Sequence, residues 1–414
     1  MVMVRRASAV LVFALSSALA TRAHAQENAE DPKTIDTVRG TIRGSTRLIG
    51  LGGAFVAIAD DTQGVAINPA SAAVRMPYSW GAFDYSFGID LGIATWLPKN
   101  DVYNAPQNSG ASGGSLFGSF AILTNYQHAG LGIAAEAEQN VASHKGQQGF
   151  STKLTANFGL MRPAVAYGYF DGQLLLGAGL RVLGFSFGGH QANVPLTAGI
   201  GYTAGVIVKP TGKQFRVGVA IEQPINAEVA SDDGTAPTVV HVPWTAAAGF
   251  AYQFGTRKLN PPFVTARARA RRDAGGREPT EEEVKKAKKD LFDEYQRDQT
   301  WYLLLSTELA FIEGSGDVAL AGTTALNRTL VSPRLGVETE AVPRWLRVRA
   351  GSYLELATTE EGHSRLHGTA GVDIKLFEWG VFGLIKPFDY WQLSLAVDGA
   401  RSYLNTSFSI GFWH

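Results

Sequence analysis

The chain has no cysteine among its 414 residues, which excludes disulfides, thiolate nucleophiles and cysteine-ligated zinc or iron–sulfur centres. It has no net charge either: 37 Lys and Arg balance 37 Asp and Glu. No field therefore directs it to nucleic acid or another polyanion. Charge of both signs is scarce, at 18% of the residues against roughly 25% in ordinary soluble domains. No apolar run reaches the length of about 18 residues that a membrane-spanning helix needs. Glycine is abundant instead, with 47 residues, well above the average share of about 7%.

The first 25 residues read as an address. "MVMVRR" is a basic opening, "ASAVLVFALSSALA" a short apolar core, and Ala23-His24-Ala25 a small-residue cleavage site. That order predicts a secretory signal over 1–25, cut after Ala25 to leave Gln26. The core is too short to cross about 30 Å of hydrocarbon, and no Cys follows to carry a lipid.

From Tyr78 onward, segments of about ten residues alternate apolar and polar. In "WQLSLAVDGA", Trp391, Leu393, Leu395 and Val397 oppose Gln392, Ser394, Ala396 and Asp398. In "LRVRAGSYLE", Leu346, Val348, Ala350 and Leu354 oppose Arg347, Arg349, Tyr353 and Glu355. A soluble β-sandwich also alternates, with its apolar faces turned inward. Here the apolar faces are long and nearly uncharged, and Trp244, Trp301, Trp345, Trp391 and Phe412 stand at strand ends. That pattern suits a lipid-facing band with aromatic girdles and a polar lumen. The fold expected is all-β, a transmembrane antiparallel barrel of 14 to 16 strands over 77–414. Closure removes the edge strands that a bilayer cannot hydrate. The ending Phe408-x-Ile410-x-Phe412 fits a terminal barrel strand, with His414 a departure from the usual aromatic end.

Two stretches break the alternation. Pro98 to Ser115 is a polar Gly/Asn/Ser loop of the kind barrels place outside the cell. Gly255 to Thr300 begins basic and Pro-rich, then turns to "TEEEVKKAKKDLFDEYQRD". There Thr280 and Glu283 form a capping box, and Glu281 with Lys285 and Glu282 with Lys286 are i,i+4 pairs. One helix is expected, as a solvated connector or as a docking element for a protein partner or lipopolysaccharide phosphates. If Trp379 to Tyr390 is a turn, this 255–300 insertion lies in the periplasm. If Val381 to Lys386 is another strand, it lies outside. The insertion's length favours outside; the strand pattern near the C-terminus favours the periplasm, which is preferred.

Catalytic and metal motifs are missing, and no cofactor is implied. Gly50-Leu51-Gly52 would need a glycine at 55 for a dinucleotide loop, but Phe55 stands there. Asp60-Asp61 lacks the alternating ligands of a calcium loop. His363 and His367 lie more than about 10 Å apart on an extended chain, too far to chelate. No G-x-S-x-G marks a hydrolase. The charged residues on inward register are Lys153, Arg181, Arg216, Glu222, Glu308, Arg347, Arg349, Glu355, Asp373, Lys375 and Asp398. They can brace the wall by mutual pairing, or line a lumen that holds amphipathic solutes.

Ahead of the first strand, "GLGGAFVAIADDTQGVAINPASAA" resembles the N-terminal region of the FadL family, outer-membrane transporters of long-chain fatty acids and other hydrophobic compounds. The residues that carry the likeness are Gly50, Gly52, Gly53, Ala57, Ala59, Asp60, Asp61, Asn68, Pro69 and Ala70. "SPRLGVETEAVPRWLRVRAGSYLE" and "RLHGTAGVDIKLF" are similar to the family's last strands. The resemblance implies a 14-strand barrel in a Gram-negative outer membrane, with 26–76 supplying a periplasmic N-terminal segment and a hatch inside the lumen. Physics makes the same demand, because side chains alone cannot fill so wide a barrel. On this reading small residues let the hatch lie close to the wall, and Asp60 and Asp61 pair with inward Arg and Lys. Gln26 to Arg47 shows no family pattern, and the insertion is unfamiliar. The function expected is passive uptake of a hydrophobic or amphipathic small molecule, bound in a pocket above the hatch. The alternative is a secretion or surface-assembly partner that docks through the insertion. Among relatives that share the motif is a component of a Bacteroidetes-type secretion system. Outer-membrane lipid surrounds the barrel on either reading.

Overall fold

The computed structural model describes residues 34–75, 80–94, 101–102, 104, 112–145, 151–188, 193–229, 239–298, 300–319, 324–378 and 390–413. The signal segment with its Ala25 cleavage site, most of the Pro98–Ser115 loop and His414 lie outside them. Strand β1 (Thr34–Asp36) comes first, followed by the short helix α1 (Thr46–Gly50) and two 3-10 turns, Thr62–Ala66 and Pro69–Ala73. Then come β2 (Phe83–Ala94), β3 (Ser112–Tyr126), β4 (Ala129–Lys145), β5 (Ser151–Tyr169), β6 (Leu174–Gly188), β7 (Asn193–Val208) and β8 (Phe215–Glu222). Two small strands follow, β9 (Ile225–Glu228) and β10 (Val239–Val242), before β11 (Thr245–Gly255). Helices α2 (Ala266–Asp273) and α3 (Glu281–Asp298) precede β12 (Tyr302–Ile312) and β13 (Val318–Ala319). The chain ends with β14 (Leu330–Val342), β15 (Leu346–Glu355), β16 (Arg365–Glu378), β17 (Tyr390–Ala400) and β18 (Tyr403–Phe412).

Fourteen of these strands close into one antiparallel barrel, with β18 pairing back onto β2 from Thr406 opposite Ile93 to Ile410 opposite Ile89. Alternation sets the faces. In β8, Val217, Val219 and Ile221 are exposed while Arg216, Gly218 and Ala220 are buried. The outer surface elsewhere presents Ile89, Leu91, Phe120, Ile133, Ile200 and Leu309. Large apolar side chains outside and charge inside invert the soluble pattern, and lipid is the environment that favours it. At the seam, Trp391 lies opposite Phe412, whose ring packs 4.8 Å from that of Phe87.

The two ends of the barrel differ. One carries short turns, at Gln127–His128, 170–173, 209–214 and 343–345, together with the α2–α3 insertion. β16 pairs directly with β17 in antiparallel register; Val381 to Lys386, weighed as a further strand, lies outside the described residues. The other end carries a second sheet in the order β13-β1-β10-β9, in which β1 lies parallel to both neighbours. Its anchor is Asp36, fully buried, which accepts from the Val38 amide at 2.7 Å and from the Ser315 hydroxyl. Stretch 26–47, without pattern in the sequence, therefore holds an ordered strand at 34–36.

The insertion departs from the single helix expected. A second helix, α2, forms across "ARARARRD" because Thr265 caps it, accepting from the Ala268 amide at 3.1 Å. The Thr280–Glu283 capping box forms: the Thr280 amide donates to Glu283 Oε2 at 2.8 Å. Glu281, expected to face Lys285, reaches Arg267 on α2 at 3.6 Å. Hydrogen bonds from Arg277 and from the Thr280 amide hold the Glu283 carboxyl at about 2, below its ordinary 4.5. A lowered acid pKa stabilises the helix start above pH 4.5 and loses that effect as pH falls through about 2. Amide-exchange protection factors in the first turn of α3 are therefore expected to fall between those limits. In Glu283→Gln they should be lower at neutral pH and nearly flat with pH.

Candidate functional site

Residues 37–75 run from the β1 sheet to the short-turn end, and their contacts reach all fourteen barrel strands. A segment that meets the inward residues of every strand of a closed ring lies inside the ring. Phe55, Val56, Ala57, Ile58 and Ala59 are fully buried there. The sequence motif acquires a mechanical meaning. Gly52 and Gly53 have φ of +60° and +75°, a region L side chains disfavour. A Cβ on Gly52 would also stand 2.6 Å from the Ser352 amide nitrogen. Asn68 caps the turn that Pro69 begins, accepting from the Ala70 amide at 3.1 Å, while its Nδ2 reaches the Val56 and Val206 carbonyls at 3.1 and 3.2 Å.

The wall is cut to match. A Cβ on Gly130 would overlap the Ala72 carbonyl, one on Gly177 the Ala70 amide, and one on Gly218 the Val56 carbonyl. On Gly336 and Gly249 it would come within 2.5 Å of Leu51 O and 2.7 Å of Val56 Cγ1. These inward strand glycines were missed in the sequence reading. Their signal was present, in glycine falling on the inward register of "FRVGVAIE" and "RLGVETE".

Charge fastens the segment. Arg47 spans from Asp60 at 2.5 Å to Glu338 on β14 at 2.9 Å. Arg216 on β8 donates to Asp60 at 2.9 Å and to the Ile58 carbonyl at 3.0 Å. Its remaining donors bind Asn260 Oδ1 and the Leu259 carbonyl, at 2.8 and 2.9 Å. Glu308 accepts from the amides of Phe55 and Val56 at 2.9 and 2.8 Å and pairs with Arg334. Asp61 departs from expectation. It forms no ion pair among the described residues; its carbonyl accepts from the Gly64 amide at 3.0 Å as the next turn begins. Beside Gly44, Ile49 and Tyr403 a cavity of about 10 Å³ remains, space for about one water.

No protein-family profile matches this chain, and no curated protein matches it in sequence. Solved structures do. The Pseudomonas putida toluene transporter TodX matches with a TM-score of 0.53 at 11% identity, over 91% of this chain and 99% of that one. The Ralstonia pickettii toluene transporter TbuX gives 0.52 at 13%, over 89% and 97%. The monoaromatic hydrocarbon channel CymD gives 0.51 at 13%, over 89% and 96%. The fold is shared with these three barrels.

Within the barrel the other charged residues fall into clusters. Arg349 binds Glu338 at 2.6 Å and Asp373, and Arg347 lies 3.6 Å from Glu340 and 3.5 Å from Asp373. Glu222 gathers Arg181 at 3.2 Å and Arg162 at 3.3 Å, and Arg162 also pairs with Glu136. Higher in the lumen, His367 is fully buried between Glu355 and Asp398, each 2.7 Å from a ring nitrogen. Asp398 also accepts from the Tyr353 hydroxyl at 2.7 Å, and Glu355 binds Arg365. Lys375 stands at the short-turn end with its ammonium 3.3 Å from the Tyr390 ring centre. Lys153 pairs with Ser143 in the ladder, and its side chain lies outside the described residues. Glu136, Arg162, Glu338 and Glu340 were missed, and His367 was weighed only as a metal ligand. "EAE" and "ETE" had placed two acids on one face, so the alternation signal was there to use.

Three variants test the seating. Gly130→Val is expected to leave a heat-modifiable folded barrel on gels while exposing residues 42–73 to protease. Gly368→Ala, with nothing within 4 Å of its Cβ, should change nothing. Arg47→Ala leaves Asp60 with Arg216 and Glu338 with Arg349. The cost to the seated segment is therefore about 3 kcal/mol, the low end for breaking a buried pair. Local amide exchange should report it, with the barrel melting temperature nearly unmoved.

Proposed function

We propose that this protein is an outer-membrane channel for passive uptake of hydrophobic or amphipathic small molecules, closed at rest by residues 37–75 acting as a plug. One observation carries the reading: a segment touching all fourteen strands, seated through backbone-to-glycine contacts and a few ion pairs. Such a fastening is specific in shape and can be displaced without unfolding the wall. The neighbours described as toluene transporters and a monoaromatic hydrocarbon channel support the substrate class, with aromatic hydrocarbons beside the fatty acids that the sequence motif suggests. No energy source is built into a barrel of this kind, so flux follows the gradient. Displacing the plug or opening the wall sideways would enlarge the small space above it into a pocket. The end with short turns is assigned to the periplasm, where barrels keep such turns. That places the α2–α3 insertion on the periplasmic side and the β1 sheet outside.

Removing Thr41 to Ala72 should raise the permeability of liposomes carrying the protein to small polar solutes by orders of magnitude, because nothing then fills the lumen. Equal permeability of the deletion and the intact chain, both with the folded-barrel gel shift, would sink the plug.

A further inference from the structure

The α2–α3 insertion leaves the wall at Gly255, the last residue of β11, and its first stretch turns into the mouth of the barrel. The Arg257 guanidinium donates to both carboxylate oxygens of Glu340 on β14, at 2.9 and 2.7 Å, and lies 4.4 Å from the Tyr302 ring centre. The Leu259 carbonyl and Asn260 Oδ1 accept from Arg216 on β8, and Asn260 Nδ2 donates to the Lys213 and Phe215 carbonyls at 2.9 and 2.8 Å. Glu340, Tyr302 and Arg216 are buried residues of the inner face, so residues 257–260 lie on the lumen side of the rim. Three residues later the chain meets the other side. The Phe263 ring packs 5.8 Å from that of His128 in the β3–β4 turn, and the Ala266 amide donates to the Trp80 carbonyl, just before β2, at 2.8 Å.

Around the ring, six strands separate the β11–β12 connection from the β3–β4 turn on one side and eight on the other. A segment fixed at two nearly opposite points of a ring, and passing inside it, crosses the opening. The dimensions agree. Fourteen strands tilted by about 40° and spaced about 4.8 Å apart enclose a mouth about 28 Å across between main chains. The 18 residues of α3 rise about 27 Å. Helix α2 packs along α3, with Arg269 paired to Glu294 at 3.1 Å, and Trp80 meets Phe292 and Tyr295 at ring distances of 5.9 and 6.2 Å. The two helices together are roughly 20 Å wide, and α2 is only about 12 Å long. The cover is therefore broad but incomplete.

We propose that residues 256–298 form a second closure in series with the plug, a lid across the short-turn mouth that limits the size of what traverses the lumen. The inference rests on the plugged-channel reading and deepens it: the plug decides whether the barrel is open, and the lid decides how large a solute gets through.

The test is liposome swelling with arabinose and with the tetrasaccharide stachyose, on the chain lacking Thr41 to Ala72. In that background residues 257–298 are exchanged for a short Gly-Ser turn, with the folded-barrel gel shift as the control. The ratio of stachyose to arabinose rates is expected to rise about tenfold, because gaps beside two helices become an open ring. Trp80→Ala with Phe263→Ala removes ring contacts between lid and far rim and should move the ratio the same way. An unchanged ratio in the exchange variant, or in the double variant where the exchange does not fold, overturns the lid and leaves the plug standing. Arabinose still excluded after loss of Thr41 to Ala72, yet admitted after loss of the lid alone, counts against the plug and supports the lid.

Discussion

A ring of fourteen strands encloses more space than its own side chains can fill, and the rest of this structure follows from how that space is occupied. A chain segment fills it, and a segment inside a lumen must satisfy its backbone without a sheet of its own. The solution is local. Short turns use internal hydrogen bonds, Glu308 takes the two amides at Phe55 and Val56, and Asn68 serves three carbonyls. Close approach does the rest. Where the segment's backbone meets the wall, the wall has glycine, so two main chains pack without a side chain between them. The glycine excess of the sequence is in this respect a record of the contact surface.

Electrostatics then decides how firmly the segment sits. The charges at its interface are mostly paired, because a buried single charge is far more costly than a buried pair. Arg47 and Arg216 share Asp60 between them, one from the segment and one from the wall. Such pairs contribute modestly against a hydrated alternative, since desolvation offsets much of their attraction. They punish misplacement more than they reward placement. The result is a definite seated position.

The architecture was legible from the sequence because it is written in period two, with charges on one face and aromatics at strand ends. The motif from Gly50 to Pro69 was legible because positive φ and tight turns need particular residues. The partners of the charged residues were not. Alternation says that Glu338 and Arg349 face inward; that they oppose each other depends on a register only the closed barrel sets. His367 illustrates the limit. It was considered as a metal ligand with His363 because of spacing along the chain, yet its neighbours are Glu355 and Asp398 on adjacent strands. The helix α2 was missed for a different reason: its arginines give no apolar face, and its stability comes from its Thr265 cap and its contacts with α3.

The segment and the insertion are joined more closely than their separation in sequence suggests. Arg216 gives one set of donors to Asp60 and Ile58 and the other to Leu259 and Asn260. Farther along, the Arg75 guanidinium lies 4.3 Å from the Phe263 ring centre, and Trp80 carries both the aromatic contacts and a backbone bond to α2. Withdrawing the segment as a whole takes Asp60 and the Ile58 carbonyl from Arg216, which keeps Leu259 and Asn260, and parts Arg75 from Phe263. Movement confined to the stretch before Asp60 leaves the insertion seated but gives up, besides the Arg47 contacts, the Glu308 bonds to the Phe55 and Val56 amides and the Arg216 bond to the Ile58 carbonyl.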